Sequence, residues 1–524
     1  MEHLMLTTWI AEATIESNLK PFLLVLAVSL SVATLPQFFG WFRRIPYTLL
    51  LVIVGLGLAF VDVRLVNLSP ELILSIFLPP LLFEAAWNLR WAELKQQWIP
   101  ISLYAVLGVV ISILGVAFGL HYLVSLPLTT ALLIGASLSA TDPVSVIALF
   151  RELGVGKRLS TVMEGESLFN DGMAVVAFSL LVGLPLGTAT LSLQSILGQL
   201  FVVVGVGVAV GSLIGFSISY LTQRFDLPLV EQSLTLVSAY ATYLIAEDLG
   251  GSGVIAVVVV GLILGNFGSR IGMNPRTRII VTEFWEFLAF FVNSIVFLLI
   301  GDQIHFSVLD DSWKTIVVTI LGMILARAIT VYGLGRLSNI FTSTDISMRE
   351  QTLLWWGGLR GSVAIALALS VPITLPEREE IITVVFGVVL FTLLVQGLTI
   401  KPLLEVLKLL GDQPLRQQYA EVIARLTAMN RVLDHLHQVQ QRPGIEPEFY
   451  RYQESLVKGE IERLSQEAEQ LQSEYPSLNG FANDQLREEL LAVEAETYAE
   501  LVQSGQLNQE LAPLMQQASE IDSV

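Results

Sequence analysis

The chain runs apolar, again and again, for about the length of a bilayer crossing. A hydrocarbon core about 30 Å thick is spanned by a helix of about 20 apolar residues. By that measure the sequence contains roughly thirteen such runs, at 20–40, 46–61, 71–88, 98–122, 128–150, 159–183, 193–222, 228–247, 251–268, 279–301, 314–335, 350–372 and 380–402. Lipid offers no hydrogen bonds to a bare backbone, so each segment must satisfy its own N–H and C=O groups, as a helix does. The expectation is an all-α polytopic membrane protein with about 13 transmembrane helices. Composition agrees: 15% of residues are charged, against about 25% in a soluble globular protein. The first run, from Phe22 to Phe39, is long enough to be a retained span rather than a cleaved signal.

Charge divides the chain. The formal net charge is −18, and the stretch from Gly411 to Val524 holds 8 basic and 20 acidic residues, or −12, leaving −6 for the rest. Two domains are expected, a membrane domain at 1–410 and an acidic, helix-rich tail at 411–524. Leu456, Ile461 and Leu464 among polar neighbours suggest amphipathic helices in the tail, broken at Pro443-Gly444 and Pro476. Such a tail can form a small helical domain, dock on the membrane part or mediate assembly. Its acidity argues against nucleic acid as a partner and against a place on an anionic leaflet. With no cysteine, disulfides, thiolate metal sites and cysteine nucleophiles are excluded. The five histidines lack metal-ligand spacing, and His435 and His437 lie in the polar tail. No nucleophile–base pair or cofactor motif is present, so neither an enzyme nor a cofactor is expected.

Lysines and arginines alternate between the loops in a lopsided way. One set of loops carries Arg43, Arg44, Arg90, Lys95, Arg151, Lys157, Arg158, Arg224, Arg270, Arg276, Arg278, Arg336, Arg349 and Lys401; the other carries Lys20, Arg64, Lys314 and Arg378. The positive-inside rule then puts the N-terminus outside and the tail in the cytoplasm. Gly207, Gly211 and Gly215, four residues apart, read as a small-residue stripe for close helix packing. Pro79-Pro80, just before Glu84, reads as a kink.

Acidic residues inside such runs are expensive. Even lenient insertion scales charge about 2.5–3.5 kcal/mol for one at the bilayer centre, and the default meaning is an ion or proton pathway. Asp142 follows Ser139 and Thr141 and precedes Pro143, which lacks an N–H and disfavours a helical Asp142. A break here frees carbonyls at mid-membrane depth, where they must line a cavity or meet protein. Carboxylate, hydroxyl and carbonyl are hard oxygen ligands for a small hard cation; the plainer reading has Asp142 capping a second half-helix. In the next span Glu166 and Asn170 share one face and Ser167 and Asp171 the adjacent one, with Glu164 nearer the helix start. Two carboxylates so close need a fixed counter-charge, and one is left to hold a proton or a cation. Arg327 and Arg360 are the candidates for that counter-charge; the alternative for each is snorkelling to an interface. Gly357, Gly358 and Gly361 around Arg360 suggest a second interrupted helix. A broken acidic span at fifth place and a broken basic span at twelfth fit an inverted-repeat transporter with a mid-membrane site.

Ala140-Thr-Asp-Pro143, Glu164-Gly-Glu-Ser-Leu-Phe-Asn-Asp171, Gly357-Gly-Leu-Arg-Gly361 and Leu78-Pro-Pro-Leu-Leu-Phe-Glu84 resemble the monovalent cation:proton antiporters of the NhaP/NHE type. The resemblance covers about residues 20–405 and leaves out the tail. It implies a homodimer in a lipid bilayer, with a dimerisation subdomain, a core containing two crossed, unwound helices, and elevator-like alternating access. It further implies Na+ and H+ as substrates, with Na+ held by Asp171, Asp142, Thr141 and Ser167. Asn170, Glu166, Arg327 and Arg360 would support that site, Glu166 pairing with Arg327. The Asn170-Asp171 pair implies electroneutral exchange, and the plasma (inner) membrane is the expected location. K+/H+ exchange on the same scaffold is the alternative, with a cation channel or a membrane sensor as more distant ones.

Overall fold

The structure, a computed structural model, describes residues 22–36, 38, 46–61, 69–185, 193–222, 227–304, 312–341, 345–410, 413–439, 446–475 and isolated positions from 478 to 501. The loops bearing Lys20, Arg43, Arg44, Arg64 and Arg224, and the tail breakers Pro443-Gly444 and Pro476, lie outside the described residues. Within them the chain is all-helical, with no strand.

The helices are α1 (Phe22–Pro36), α2 (Tyr47–Phe60), α3 (Leu72–Asn88), α4 (Trp98–Val124), α5 (Leu128–Ser137), α6 (Val144–Leu153), α7 (Lys157–Val182), α8 (Leu193–Thr222), α9 (Pro228–Asp248), α10 (Gly253–Ser269), α11 (Pro275–Asp302), α12 (Trp313–Phe341), α13 (Met348–Trp356), α14 (Ser362–Leu369) and α15 (Arg378–Leu407), followed in the tail by α16 (Gln413–Val439) and α17 (Pro447–Glu474). Each apolar run predicted from sequence falls on a helix or, for the fifth and twelfth, on a pair of half-helices. Among the described residues six helices, α4, α7, α8, α11, α12 and α15, are long and apolar enough to cross a membrane.

Packing sorts the membrane helices into two sets. In one, α2 lies along α11, α3 along α10 and α11, and α8 and α9 along α10. In the other, α4 packs on α5 and α12, α5 on α7, and α14 and α12 on α15. The Gly207–Gly211–Gly215 stripe of α8 is part of the first set: a Cβ on Gly207 would stand 2.8 Å from the Ser252 carbonyl, and one on Gly211 2.5 Å from that of Ala256. The prolines of α3 do not break it. A wider π turn at Leu72–Phe77 precedes the α-helical stretch from Leu78. Pro80 has no N–H for the Ile76 carbonyl, which instead accepts the Tyr240 hydroxyl at 3.0 Å.

The chain divides into two compact units, one of Met1–Arg151 and Val155–Leu410, the other of Gly411–Val524 together with Glu152–Gly154. In the second, α16 and α17 pack together through Tyr419, Val422, Leu464, Ala468 and Leu471, and Gln472 donates to the Tyr419 hydroxyl at 2.6 Å. Leu464 is in this core, whereas Leu456 is exposed. The apolar spacing of the tail therefore marks a core only at the end of the hairpin nearer residues 415–429.

Candidate functional site

The first break runs from the end of α5 to the start of α6, and nearly every polar backbone group in it is met by another element. The Ser139 and Ala140 carbonyls, left over where α5 ends, accept from one guanidinium nitrogen, Arg360 Nη1, at 2.7 and 2.9 Å. Thr141 is held by α7 at three points. Its N–H donates to Asn170 Oδ1 at 3.1 Å, its hydroxyl accepts from Asn170 Nδ2 at 2.7 Å, and its carbonyl accepts from Ser167 Oγ at 2.5 Å. The Asp142 N–H donates to the Leu359 carbonyl at 2.8 Å, so the two breaks are bonded to each other. Asp142 Oδ1 accepts from the Val144 N–H at 3.1 Å and so caps α6, at the positive end of its dipole.

The second break, between α13 and α14, is built by glycine. A Cβ on Gly361 would collide with the Asp142 carboxylate, and one on Gly358 would lie 2.8 Å from Arg327 Nε. The bare backbone lets an acid approach the start of α14 and a base approach the end of α13. The Arg360 N–H donates to Thr392 Oγ1 of α15 at 3.1 Å. Arg327, from α12, forms a two-pronged ion pair with Glu166 of α7, and its Nη2 also donates to the Leu354 carbonyl at 3.0 Å. The negative end of each first half-helix thus meets an arginine. Neither arginine snorkels: Arg360 is 1% exposed and Arg327 6%.

A cavity of about 340 Å³ opens beside the breaks, and Thr141, Asp142, Ser167 and Asp171 line it. Asn170, Glu166, Arg327 and Arg360 stand behind this wall, engaged in the bonds just given. Asp171 is 8% exposed, and its Oδ1 has no hydrogen-bond partner. Arg151 and Glu164, 3.5 Å apart, lie at the other end with Glu286. Arg151 is at the far end of α6 from Asp142, and Glu164 is two turns before Asp171 on α7. At 1.5 Å per residue the cavity runs for about 10–14 Å.

The same residues belong to a described family. The family model for the transmembrane sodium/hydrogen exchanger matches residues 26–406. This chain is a sodium/hydrogen exchanger family member. Among its relatives, the Na(+)/H(+) antiporter ApNhaP of Aphanothece halophytica is 62% identical over 97% of both chains. The low-affinity Na(+)/H(+) antiporter NhaS1 of Synechocystis sp. is 59% identical over 96% of both. Among solved structures, the sodium proton antiporter MjNhaP1 of Methanocaldococcus jannaschii is similar in fold, with a TM-score of 0.62 over 76% of this chain and 99% of that one at 23% identity. The exchanger family is one of integral membrane transporters, and the family match covers both broken helices.

Part of the cavity wall of this family member lies outside the residues that sequence singles out as a site. Glu84, whose Oε1 accepts from Asn88 at 2.7 Å, faces the same space from α3, and Tyr47, Glu286 and Asn293 face it from α2 and α11. Glu84 is visible in the Leu78–Glu84 motif beside the two prolines. Glu286, a charge within the 279–301 run, is a signal of the same kind as Asp171 that the motifs do not include.

Proposed function

We propose that this chain exchanges Na+ for H+ across a membrane, one for one, with Asp171 as the carboxylate that both ions share. The observation that carries the reading is that Asp171 lines the cavity and that one of its oxygens is buried with no hydrogen-bond partner. A buried carboxylate oxygen left without a partner is costly. A proton or a cation each relieves that cost, and they cannot do so together. Asp142, the Thr141 hydroxyl and the Ser167 hydroxyl would complete an oxygen shell for Na+. The neutral Asn170 and the pairing of Glu166 with Arg327 leave one uncompensated acid on α7, which supports a one-for-one stoichiometry.

The relatives carry the name of Na(+)/H(+) antiporters, which favours sodium over potassium, and an exchanger family favours exchange over a channel or a sensor. In this reading the chain crosses the bilayer thirteen times, from an outside N-terminus to a cytoplasmic, regulatory tail. It works as a homodimer in the plasma (inner) membrane. The cavity end at Arg151 lies beside the basic loop of Lys157 and Arg158, so the state described is open to the cytoplasm.

Everted membrane vesicles with an internal pH dye test the proposal. Added sodium is expected to release protons from vesicles carrying the wild type, lithium to act similarly and potassium weakly. Asp171→Ala is expected to abolish the sodium response, and a response of wild-type size in that variant would remove Asp171 from the site.

A further inference from the structure

The cavity lies between the two helix sets. Ser167 and Asp171 come from α7, in the set of α4, α5, α7 and α12–α15, and Asp142 from the break that is bonded to that set at the Leu359 carbonyl, whereas Tyr47, Glu84, Glu286 and Asn293 come from the set of α2, α3 and α8–α11. A site in such a boundary changes the face it opens to when one set shifts against the other. Side-chain bonds that cross the boundary must break on the way.

One such bond sits next to the site. The Thr48 hydroxyl of α2 and the Ser145 hydroxyl of α6 are 2.5 Å apart. Both residues are buried, at 0% and 3% exposure. Ser145 is in the first turn of α6, three residues after Asp142, and Thr48 follows the cavity-lining Tyr47. Neither hydroxyl lines the cavity itself, so neither competes for the ion. Two buried hydroxyls that part each lose a hydrogen-bond partner.

We infer that Thr48 and Ser145 form a latch that holds the Asp142 half-helix against α2 while the cavity opens at Arg151, and that this latch parts in every transport cycle. The inference rests on the exchange reading above. It adds a positioning pair that sets how the two facing states are populated.

The chain has no cysteine of its own, so a Thr48→Cys/Ser145→Cys double variant carries a single possible disulfide. Hydroxyls in hydrogen-bond contact bring the two Cβ atoms near the separation that bond needs. In vesicles, oxidation is expected to cross-link the full-length double variant and stop sodium-driven proton release, and a reductant is expected to restore it. Each single variant should be indifferent to the oxidant. Complete cross-linking with unchanged exchange would overturn the latch, and so would failure to cross-link at all. If wild-type and reduced double variant both lack a sodium response, it is the exchange reading that fails.

A milder pair of variants separates the latch from ordinary packing. Thr48→Val keeps the shape and removes the hydroxyl, and is expected to raise the half-saturating sodium concentration at the Arg151 side by about three- to tenfold, the worth of one buried neutral hydrogen bond. Thr48→Ser, which keeps the hydroxyl, is expected to restore the wild-type value. Equal behaviour of Thr48→Val and Thr48→Ser would overturn the inference.

Discussion

The two broken helices do opposite jobs. The α5–α6 break is made by a proline, carries an acid and presents Thr141 and Asp142 to the cavity. The α13–α14 break is made by glycines, carries a base and turns that base onto the carbonyls of the first, at Ser139 and Ala140. Asp142 in turn lies against the bare backbone of Gly361. In the proposed site the first break supplies ligand atoms, and the second, whose Gly361 and Ser362 also line the cavity, keeps them in position.

That division of labour can be broken at several points. The largest effect is expected from Arg360→Ala. It would strand two buried carbonyls and leave a void in the middle of the core, at a cost of about 3–5 kcal/mol for removing one partner of a buried charged network. Thermal unfolding in detergent should show a marked drop in midpoint, and exchange should be lost with it. A variant that melts like wild type would mean that the second break does not support the first.

Asp142→Asn is expected to part stability from function. The amide oxygen still accepts from the Val144 N–H, so the α6 cap survives and the unfolding midpoint should move little. The negative charge beside the cavity is gone, and sodium-driven proton release should fall by about tenfold or more, as for the loss of a charge-assisted contact. If exchange persists at full rate, the first break is scaffold as well, and the contrast between the two disappears.

Gly361→Ala should give the smallest effect of the three. Its methyl group pushes on the Asp142 carboxylate, and strain of this kind costs about 1–3 kcal/mol. Sodium affinity in the vesicle assay should weaken, while the folded protein is still produced. Unchanged affinity would mean that the carboxylate can move aside, and that its closeness to α14 is incidental.

How far the sequence can be read follows from how lipid treats each residue. Apolar runs and the acids within them stand out because the bilayer tolerates few other arrangements, and so Asp142 and Asp171 are legible from the order of residues alone. Proline and glycine mark both breaks for the same reason. Spacing along α7 puts Asn170 and Asp171 on neighbouring faces, but which of them points to the cavity depends on where Thr141 comes to rest, and that is a contact between distant segments. Glu286 and Asn293 join the cavity only through the packing of α11 on α2 and α3, which no local pattern encodes. In the tail, Leu456 misleads because amphipathic spacing says that a face is apolar without saying what covers it.

The threefold grip of Asn170 and Ser167 on Thr141 has a consequence for discrimination among ions. With its amide, carbonyl and hydroxyl all tied to one continuous helix, this residue has little freedom to follow a larger or smaller visitor. In the proposed site, an oxygen ring with Thr141 as a pinned corner would discriminate by ionic radius, since a misfit is borne by the guest and not absorbed by the host. Loosening that corner with Asn170→Ala, which removes the hold on Thr141 without removing a proposed ligand, would be the way to let bigger alkali ions through the same door.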